Sequence, residues 1–243
     1  LALQAESPAQ EEQPARVEAA VVEVVGESGA VPLTPIQRQF FEQQRPQPNH
    51  YNQALLLQVP VGSNVEELRQ AVALVVQHHE ALRLRFREVA AGEWEQWLAE
   101  RETNEFFRHY ELAELTEAEQ RQQIEATAEQ LQRSLDLAAG PLLRVVYFSC
   151  GERAGRLLLI VHHLVIDGVS WRILLEDLES AYEQLSRGEP VLLPPKTTSF
   201  KQWAERLAAF AATDAATAEL DYWAGLSEAA FELPRDHELG PND

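Results

Sequence analysis

The clearest pattern of apolar and polar positions lies in residues 156–178, where a strand pattern gives way to a helix pattern. Residues 157–161 are continuously apolar, and a short run of this kind is typical of a strand buried on both faces. Two histidines and an Asp-Gly pair follow. Beyond the glycine, apolar residues recur at helical spacing, namely Val169, Ile173, Leu174 and Leu178. We therefore expect a buried strand, a turn and a helix, with Ser170 as a candidate cap in its first turn.

Further helices and strands are predicted on both sides of this segment. Capping residues mark helix starts at Thr34, at Ser63 or Asn64, at Thr116 and at Ser199. Apolar runs or alternation predict strands over residues 54–59, 82–86, 93–98, 105–111 and 142–148. Helices and strands do not alternate strictly, so the α+β class is favoured over a parallel βαβ fold.

The two histidines that end the buried strand, His162 and His163, are the main candidates for chemistry. Neighbouring residues on a strand point to opposite faces, so the two rings cannot enter the same cavity. One is expected to face the interior and hold the loop, and the other to face whatever opens at the strand end. A buried imidazole must find partners or lower its pKa, so a pair of them favours function over packing.

A second pair, His78-His79, follows a predicted helix but has no Asp-Gly after it. A histidine at that position suits the negative end of the helix, so a structural role is expected. Next comes a predicted strand with Arg83, Arg85 and Arg87 on one face, and such a row is normally solvated.

Composition narrows the class of protein. The net charge of −19 over 243 residues argues against nucleic acid, whose binding depends on neutralised phosphates. No run reaches the ~18 apolar residues of a membrane helix, so no membrane partner and a cytoplasmic location are expected. Residues 1–30 have the composition of an acidic linker, and order is expected from residue 31. The single cysteine, Cys150, is expected to be a core thiol and rules out an internal disulfide.

Several of these segments resemble one family. Residues 162–168 read His-His-Leu-Val-Ile-Asp-Gly and resemble the HHxxxDG signature of the condensation-domain superfamily of nonribosomal peptide synthetases. Residues 169–178 are more similar to its epimerization branch than to its peptide-bond-forming branch. Residues 35–37, Pro-Ile-Gln, resemble the opening motif of epimerization domains, although Gln39 stands where an aromatic is frequent. The turn at Gly140 before a strand also resembles the superfamily.

The resemblance implies a fold like chloramphenicol acetyltransferase, in which two similar lobes enclose a tunnel with the histidine motif at its middle. Residues 31–243 would form the amino-terminal lobe, a mixed sheet with flanking helices. The carboxy-terminal lobe, which carries a further glutamate typical of the family, would be missing, so the lobe alone is expected to be inactive. The implied reaction is L-to-D inversion of the α-carbon of an aminoacyl or peptidyl thioester. The substrate would arrive on the 4′-phosphopantetheine arm of a peptidyl carrier domain, and this chain itself would bind no cofactor and no metal.

Individual roles follow from the same resemblance. His163 is the implied base, and a neutral imidazole with an ordinary pKa of ~6.5 suits removal of the α-proton. His162 is expected to orient the loop. Backbone N–H groups around Gly168 and the helix start at Ser170 are candidates to stabilise the enolate oxygen, since helix starts favour negative charge. Trp171 is expected to shape the tunnel wall, although a core position is equally consistent with the sequence.

The superfamily also implies an arginine that pairs with the aspartate of the signature. We assign it to Arg83, with Arg85 as the fallback. Such a pair would hold the Asp167 loop rigid, a structural rather than a chemical duty.

Three alternatives remain open. A condensation domain would use the same His163 to promote attack of an amine on a thioester. A free acyltransferase would act on a small alcohol or a CoA thioester, which the leading linker disfavours. A docking module would keep the signature without catalysis.

Overall fold

The computed structural model describes residues 28–226. Its strands are β1 (Gly29–Val31), β2 (Asn52–Val59), β3 (Leu84–Ala90), β4 (Glu93–Leu98), β5 (Phe107–Glu111), β6 (Leu143–Cys150) and β7 (Arg153–His162). Its helices are α1 (Pro35–Glu42), α2 (Val65–His78), α3 (Glu117–Gln132), α4 (Gly168–Ser186), α5 (Phe200–Ala211), α6 (Asp214–Ala218) and α7 (Leu220–Leu226). Short 3₁₀-helices lie at Pro48–His50 and Glu80–Arg83.

The strands form two sheets. The larger sheet has the order β2-β7-β6-β5, and only its β5–β6 pair is parallel. The smaller sheet has the order β1-β4-β3 and is antiparallel. The large sheet is thus mixed and carries helices on both faces, which confirms the α+β prediction.

The middle strand β7 shows why the continuous apolar run is buried. Leu157, Leu159 and Val161 face the main core with α2 and α4, whereas Leu158 and Ile160 face a second core beneath α3. Both sets alternate along one strand, as the pleat requires. Because both faces of the strand are covered, odd and even positions over residues 157–161 are all apolar. Polar residues follow only where the strand ends, at the histidines.

The predicted helix starts are confirmed by their caps. The Asn64 side chain accepts from the N–H groups of Glu66 and Glu67, and Ser199 accepts from Gln202. At Thr116 the hydroxyl and Glu119 form the expected capping box. These caps satisfy N–H groups that the helix itself leaves without partners.

At the amino terminus the first strand of the described residues starts slightly before residue 31, where order was predicted. Gly29–Val31 pairs with β4, so the last residues of the expected linker belong to a strand. The rest of that linker, and residues 227–243 of the expected lobe, lie outside the described residues. Within residues 28–226, no helix is both long and apolar enough to cross a membrane.

The predicted solvated row of arginines is wrong. Arg83 belongs to the 3₁₀-helix before β3 and is fully buried, Arg85 is buried on β3, and only Arg87 is exposed. The Arg85 guanidinium forms a buried ion pair with Glu102 and lies against Gly140, which adopts φ +76°. A side chain at Gly140 would overlap this guanidinium, so the glycine leaves room for the ion pair.

Loss of the Arg85–Glu102 pair is expected to destabilise the fold. Glu102→Gln leaves a buried guanidinium without its counter-charge, and we expect the free energy of unfolding to fall by about 3 kcal/mol. Urea unfolding of the chain measures it. The matched control is Glu95→Gln in the exposed Arg87–Glu95 pair, which is expected to cost less than about 1 kcal/mol. Equal effects of the two substitutions would contradict the structural importance of the buried pair.

Candidate active site

The two histidines at the end of β7 are in different environments, as the alternation of the strand predicts. His162 is fully buried. Its Nε2 donates to the Pro48 carbonyl at 2.8 Å, and its Nδ1 accepts from the N–H of Leu164 at 3.2 Å. Burial lowers the pKa of His162 to about 4. This ring is therefore neutral near pH 7 and ties the loop after β7 to the 3₁₀-helix before β2.

His163 lies one residue further on and is only half-buried. Its backbone N–H donates to the Tyr51 carbonyl at 2.8 Å, which continues the β2–β7 pairing past the end of the strand. Its Nδ1 lies 2.8 Å from the Ile166 carbonyl. A carbonyl oxygen can only accept, so Nδ1 carries the proton and a neutral ring has its lone pair on Nε2. That nitrogen is the one suited to act as a base.

Two residues that the sequence analysis did not single out surround this ring. The Gln53 side-chain nitrogen lies 3.3 Å from Nε2 of His163, and the Gln53 oxygen accepts from Nε1 of Trp171 at 2.7 Å. The Tyr51 ring packs beside the imidazole with centroids 5.1 Å apart. A signal for Gln53 existed in the sequence, since it alternates with Leu55 and places a polar group on an apolar strand face.

Asp167 has a different structural role from the one expected. It is the N-cap of α4, and its Oδ1 accepts from the N–H groups of Val169 and Ser170 and from the Ser170 hydroxyl. Ser170 is therefore a partner of the cap rather than the cap itself. Hydrogen bonds from Ser170, first of all from its backbone N–H, lower the pKa of Asp167, whereas partial burial opposes them.

The predicted pairing of Asp167 with Arg83 or Arg85 is wrong for the described residues. Arg83 donates to the carbonyls of Val76 and Gln77 at the end of α2, and to the Ala99 carbonyl. Carbonyls in the last turn of a helix have no partner within it, so the buried guanidinium satisfies them. Arg85 is committed to Glu102.

Two of the backbone N–H groups that were expected to stabilise the enolate oxygen already have an acceptor. The N–H groups of Val169 and Ser170 point at the Asp167 carboxylate, so the expectation is wrong for these two groups. It stays a prediction for Gly168, where an added Cβ would meet none of the described residues within 4 Å. An added Cβ at Gly168 would therefore occupy open space at the start of the helix.

Trp171 is buried in the first turn of α4, with its ring in the main core and its N–H on Gln53. Two clefts of about 770 and 330 Å³ lie elsewhere. The larger borders β4 and the smaller borders the ends of β5 and β6, and neither is lined by His163. The His163 ring itself is half-buried, so part of it is exposed at the surface of the described residues.

The second histidine pair has a structural partner. Nε2 of His79 lies 2.7 Å from Oδ2 of the buried Asp177 on α4, which links the end of α2 to α4. The pKa of His78 is lowered, and burial is the largest cause. A metal ion could also be held by the side chains of His78, His79 and Asp177, since each offers a ligand atom and these three atoms lie within 4.8 Å of one another. His79 is already committed to Asp177, and this contact accounts for the pair without an ion.

The chain belongs to the condensation-domain family, because the family model described as "Condensation domain" matches residues 27–243. Similar curated proteins are components of nonribosomal peptide synthetases. One component of the linear gramicidin synthase of Brevibacillus parabrevis is 49% identical over 217 residues, which is 89% of this chain and 4% of that protein. Surfactin synthase subunit 2 of Bacillus subtilis (strain 168) is 40% identical over 211 residues, 86% of this chain and 6% of that protein. The chain thus spans a small part of each relative.

Solved structures give the same fold. The epimerization domain from the third module of tyrocidine synthetase B aligns with a TM-score of 0.76 and 38% identity, over 86% of this chain and 47% of that one. The first condensation domain of the calcium-dependent antibiotic synthetase aligns with a TM-score of 0.66 and 24% identity, over 83% and 48%. The second likeness shows the fold alone. Both structures are about twice as long as the matched part of this chain.

The burial of neutral His162 predicts a pH dependence of stability. The unfolded chain protonates this residue near pH 6.5, and the folded chain only near pH 4, so the unfolded state binds more protons between these values. Lowering the pH through this range should therefore cost on the order of 3 kcal/mol through His162. The difference in free energy of unfolding between wild type and His162→Gln, measured in urea at each pH, should narrow accordingly. A difference independent of pH would contradict the buried neutral ring.

The cap at Asp167 predicts a contrast between two substitutions. Asp167→Ala should cost about 1 kcal/mol, and Asp167→Asn much less, because asparagine is also a good N-cap. Since the pKa of Asp167 is lowered in the folded state, its contribution is present above the ordinary carboxyl pKa and is lost as the pH falls below it. Urea unfolding measures both variants. If Asn were as damaging as Ala, the carboxylate charge rather than the cap would be the stabilising element.

Proposed function

We propose that this chain is part of an epimerization domain that inverts the α-carbon of an aminoacyl or peptidyl thioester in nonribosomal peptide synthesis. The observation that carries the proposal is the 38% identity, over 86% of the chain, to a solved epimerization domain. Residues 169–178, which lie in α4 with Trp171 in its first turn, are the segment whose sequence most resembles that branch.

His163 is the base in this proposal. Removing an α-proton requires a base with an available lone pair within reach of that proton, and Nε2 of the neutral His163 ring has one. The Ile166 carbonyl holds the opposite side of the ring, so the imidazolium formed by proton uptake keeps a hydrogen-bond partner on Nδ1. The same ring can return the proton to the α-carbon, because proton transfer is reversible.

Inversion needs two further elements. The negative charge that develops on the thioester oxygen must be stabilised, and the N–H of Gly168 at the start of α4 is the candidate on this chain. A proton donor must also act from the opposite face of the α-carbon. We assign that donor to the other half of the domain, since solved relatives are about twice as long as the aligned region. The 4′-phosphopantetheine arm of a carrier domain would bring the substrate between the two halves.

A condensation domain is the second candidate, and the description of the matching family model favours it. In that case His163 would assist the attack of an amine on a thioester, and no bond to the α-hydrogen would break. The two reactions use the same fold and the same imidazole. They differ in whether the α-proton leaves the substrate.

The deciding experiment uses a synthetase that contains this chain, with its carrier loaded with an L-aminoacyl thioester, in D₂O. Epimerization predicts α-deuterium by mass spectrometry together with a mixture of D and L residues by chiral chromatography. Condensation predicts an amide with a second loaded carrier and an α-hydrogen that stays in place. Amide formation without deuterium uptake would overturn the epimerization proposal.

His163→Ala in the same synthetase is expected to reduce α-proton exchange at least about 100-fold, the usual contribution of a general base. The matched control is His109→Ala, because His109 lies on β5 at the far edge of the same sheet, where it contacts Ser149 and Tyr147. The control should retain activity. Unchanged exchange in His163→Ala would instead support a non-catalytic docking module.

A further inference from the structure

The His163 ring has a hydrogen-bond partner, Gln53, beyond the carbonyl that holds it within its own loop. A continuous set of hydrogen bonds runs from Trp171 on α4 through Gln53 on β2 to His163 and ends at the Ile166 carbonyl. The two outer contacts are short, at 2.7 and 2.8 Å. The central contact between Gln53 and His163 is long, at 3.3 Å.

The two ends of this set fix its polarity independently. The indole N–H of Trp171 can only donate, so the Gln53 oxygen must face Trp171 and its NH₂ group must face His163. The Ile166 carbonyl can only accept, so Nδ1 of His163 donates and Nε2 must accept. Both constraints give the same arrangement, in which a donor on Gln53 meets a lone pair on Nε2. The amide orientation therefore follows from its neighbours on both sides.

This polarity has a chemical consequence. Protonation of Nε2 would bring an N–H of the ring against the NH₂ group of Gln53, two donors facing each other with no acceptor between them. A glutamine free to turn would offer its oxygen instead, but the Trp171 N–H holds that oxygen. The contact therefore favours the neutral ring, and its length of 3.3 Å makes it weak enough for a substrate to displace.

We propose that Gln53 is a positioning residue: held by Trp171, it keeps His163 neutral with the lone pair on Nε2 until a thioester substrate takes its place. Removal of an α-proton requires this state of the ring, because only the neutral ring has a lone pair on Nε2. The catalytic part of this inference rests on the proposed function, whereas the tautomer of His163 does not.

Other charged groups near the ring bear on any pH dependence. Asp167, on the same loop, interacts electrostatically with His163, which is one of the smaller causes of the lowered pKa of Asp167. His162 is buried and has a pKa of about 4, so it stays neutral in the relevant range. From the β2 side the ring faces Tyr51, and the Arg45 guanidinium lies 4.5 Å from the centre of the Tyr51 ring. A substitution of Gln53 leaves all of these side chains in place, so the variant reports the effect of the Gln53 side chain on His163.

The first arm of the test needs no activity. ¹⁵N NMR of the histidine-labelled chain should show a protonated Nδ1 and a lone pair on Nε2 for neutral His163. In Trp171→Phe the Ile166 carbonyl still holds the Nδ1–H, but the released amide can turn its oxygen towards a protonated Nε2, so the doubly protonated ring is expected to persist to higher pH than in wild type. A wild-type ring protonated mainly on Nε2, or a Trp171→Phe spectrum identical to wild type, would overturn the inference.

The second arm measures α-proton exchange against pH in a synthetase containing the chain. Gln53→Glu places a carboxylate opposite Nε2, which favours the imidazolium, so the acidic limb of the profile should move to higher pH by about one unit. The matched control is Gln58→Glu, on the same strand but on its other face, and its profile should not move. A uniform loss of rate in Gln53→Glu with an unmoved limb would reduce Gln53 to a structural role and overturn the proposal.

The two arms separate the possible failures. If the NMR result is as expected but the substrate gains no deuterium and an amide forms, the epimerization proposal fails while the positioning of His163 by Gln53 stands. If exchange occurs but the His163 tautomer is the opposite one, the positioning inference fails alone.

Discussion

One backbone hydrogen bond determines the geometry of the whole site. The N–H of His163 donates to the Tyr51 carbonyl and so extends the β2–β7 pairing one residue beyond the end of β7. The pleat of the strand then decides which histidine is buried and which is half-exposed. A shift by one residue would exchange the two faces of β7 and bring His163 to the buried position of His162.

Around this bond, polar side chains hold the loop without taking part in chemistry. His162 ties the loop to Pro48, and Asp167 caps the helix that follows. Each is a satisfied polar group in a position where an apolar residue would leave backbone groups without partners. The loop is thereby held at both ends, and His163 is the histidine of the pair whose Nε2 can reach a substrate.

The sequence predicted most of the fold because its signals were local. The apolar run of β7, the caps at Asn64 and Thr116 and the alternation of β4 each depend on neighbouring residues. The roles of Asp167 and Arg83 were wrongly predicted because they were carried over from a resemblance, whereas the actual partners are backbone groups close by in the structure.

Gln53 shows a different limit of sequence analysis. It lies 110 residues from His163, and only the pairing of β2 with β7 brings the two side chains together. The polar residue on an apolar strand face was visible in the sequence, but its partner was not. Long-range pairing of strands is the information that periodicity alone lacks.

The central claim is that Nε2 of His163 is the atom that meets the α-carbon of a carrier-bound thioester. A crystal structure of a complete domain containing this chain, bound to a stable thioether analogue of aminoacyl-phosphopantetheine, tests it most directly. The account predicts an α-carbon within about 3.5 Å of Nε2, with the Gln53 amide displaced from the ring. An α-carbon distant from His163, with the Gln53 contact intact, would contradict it.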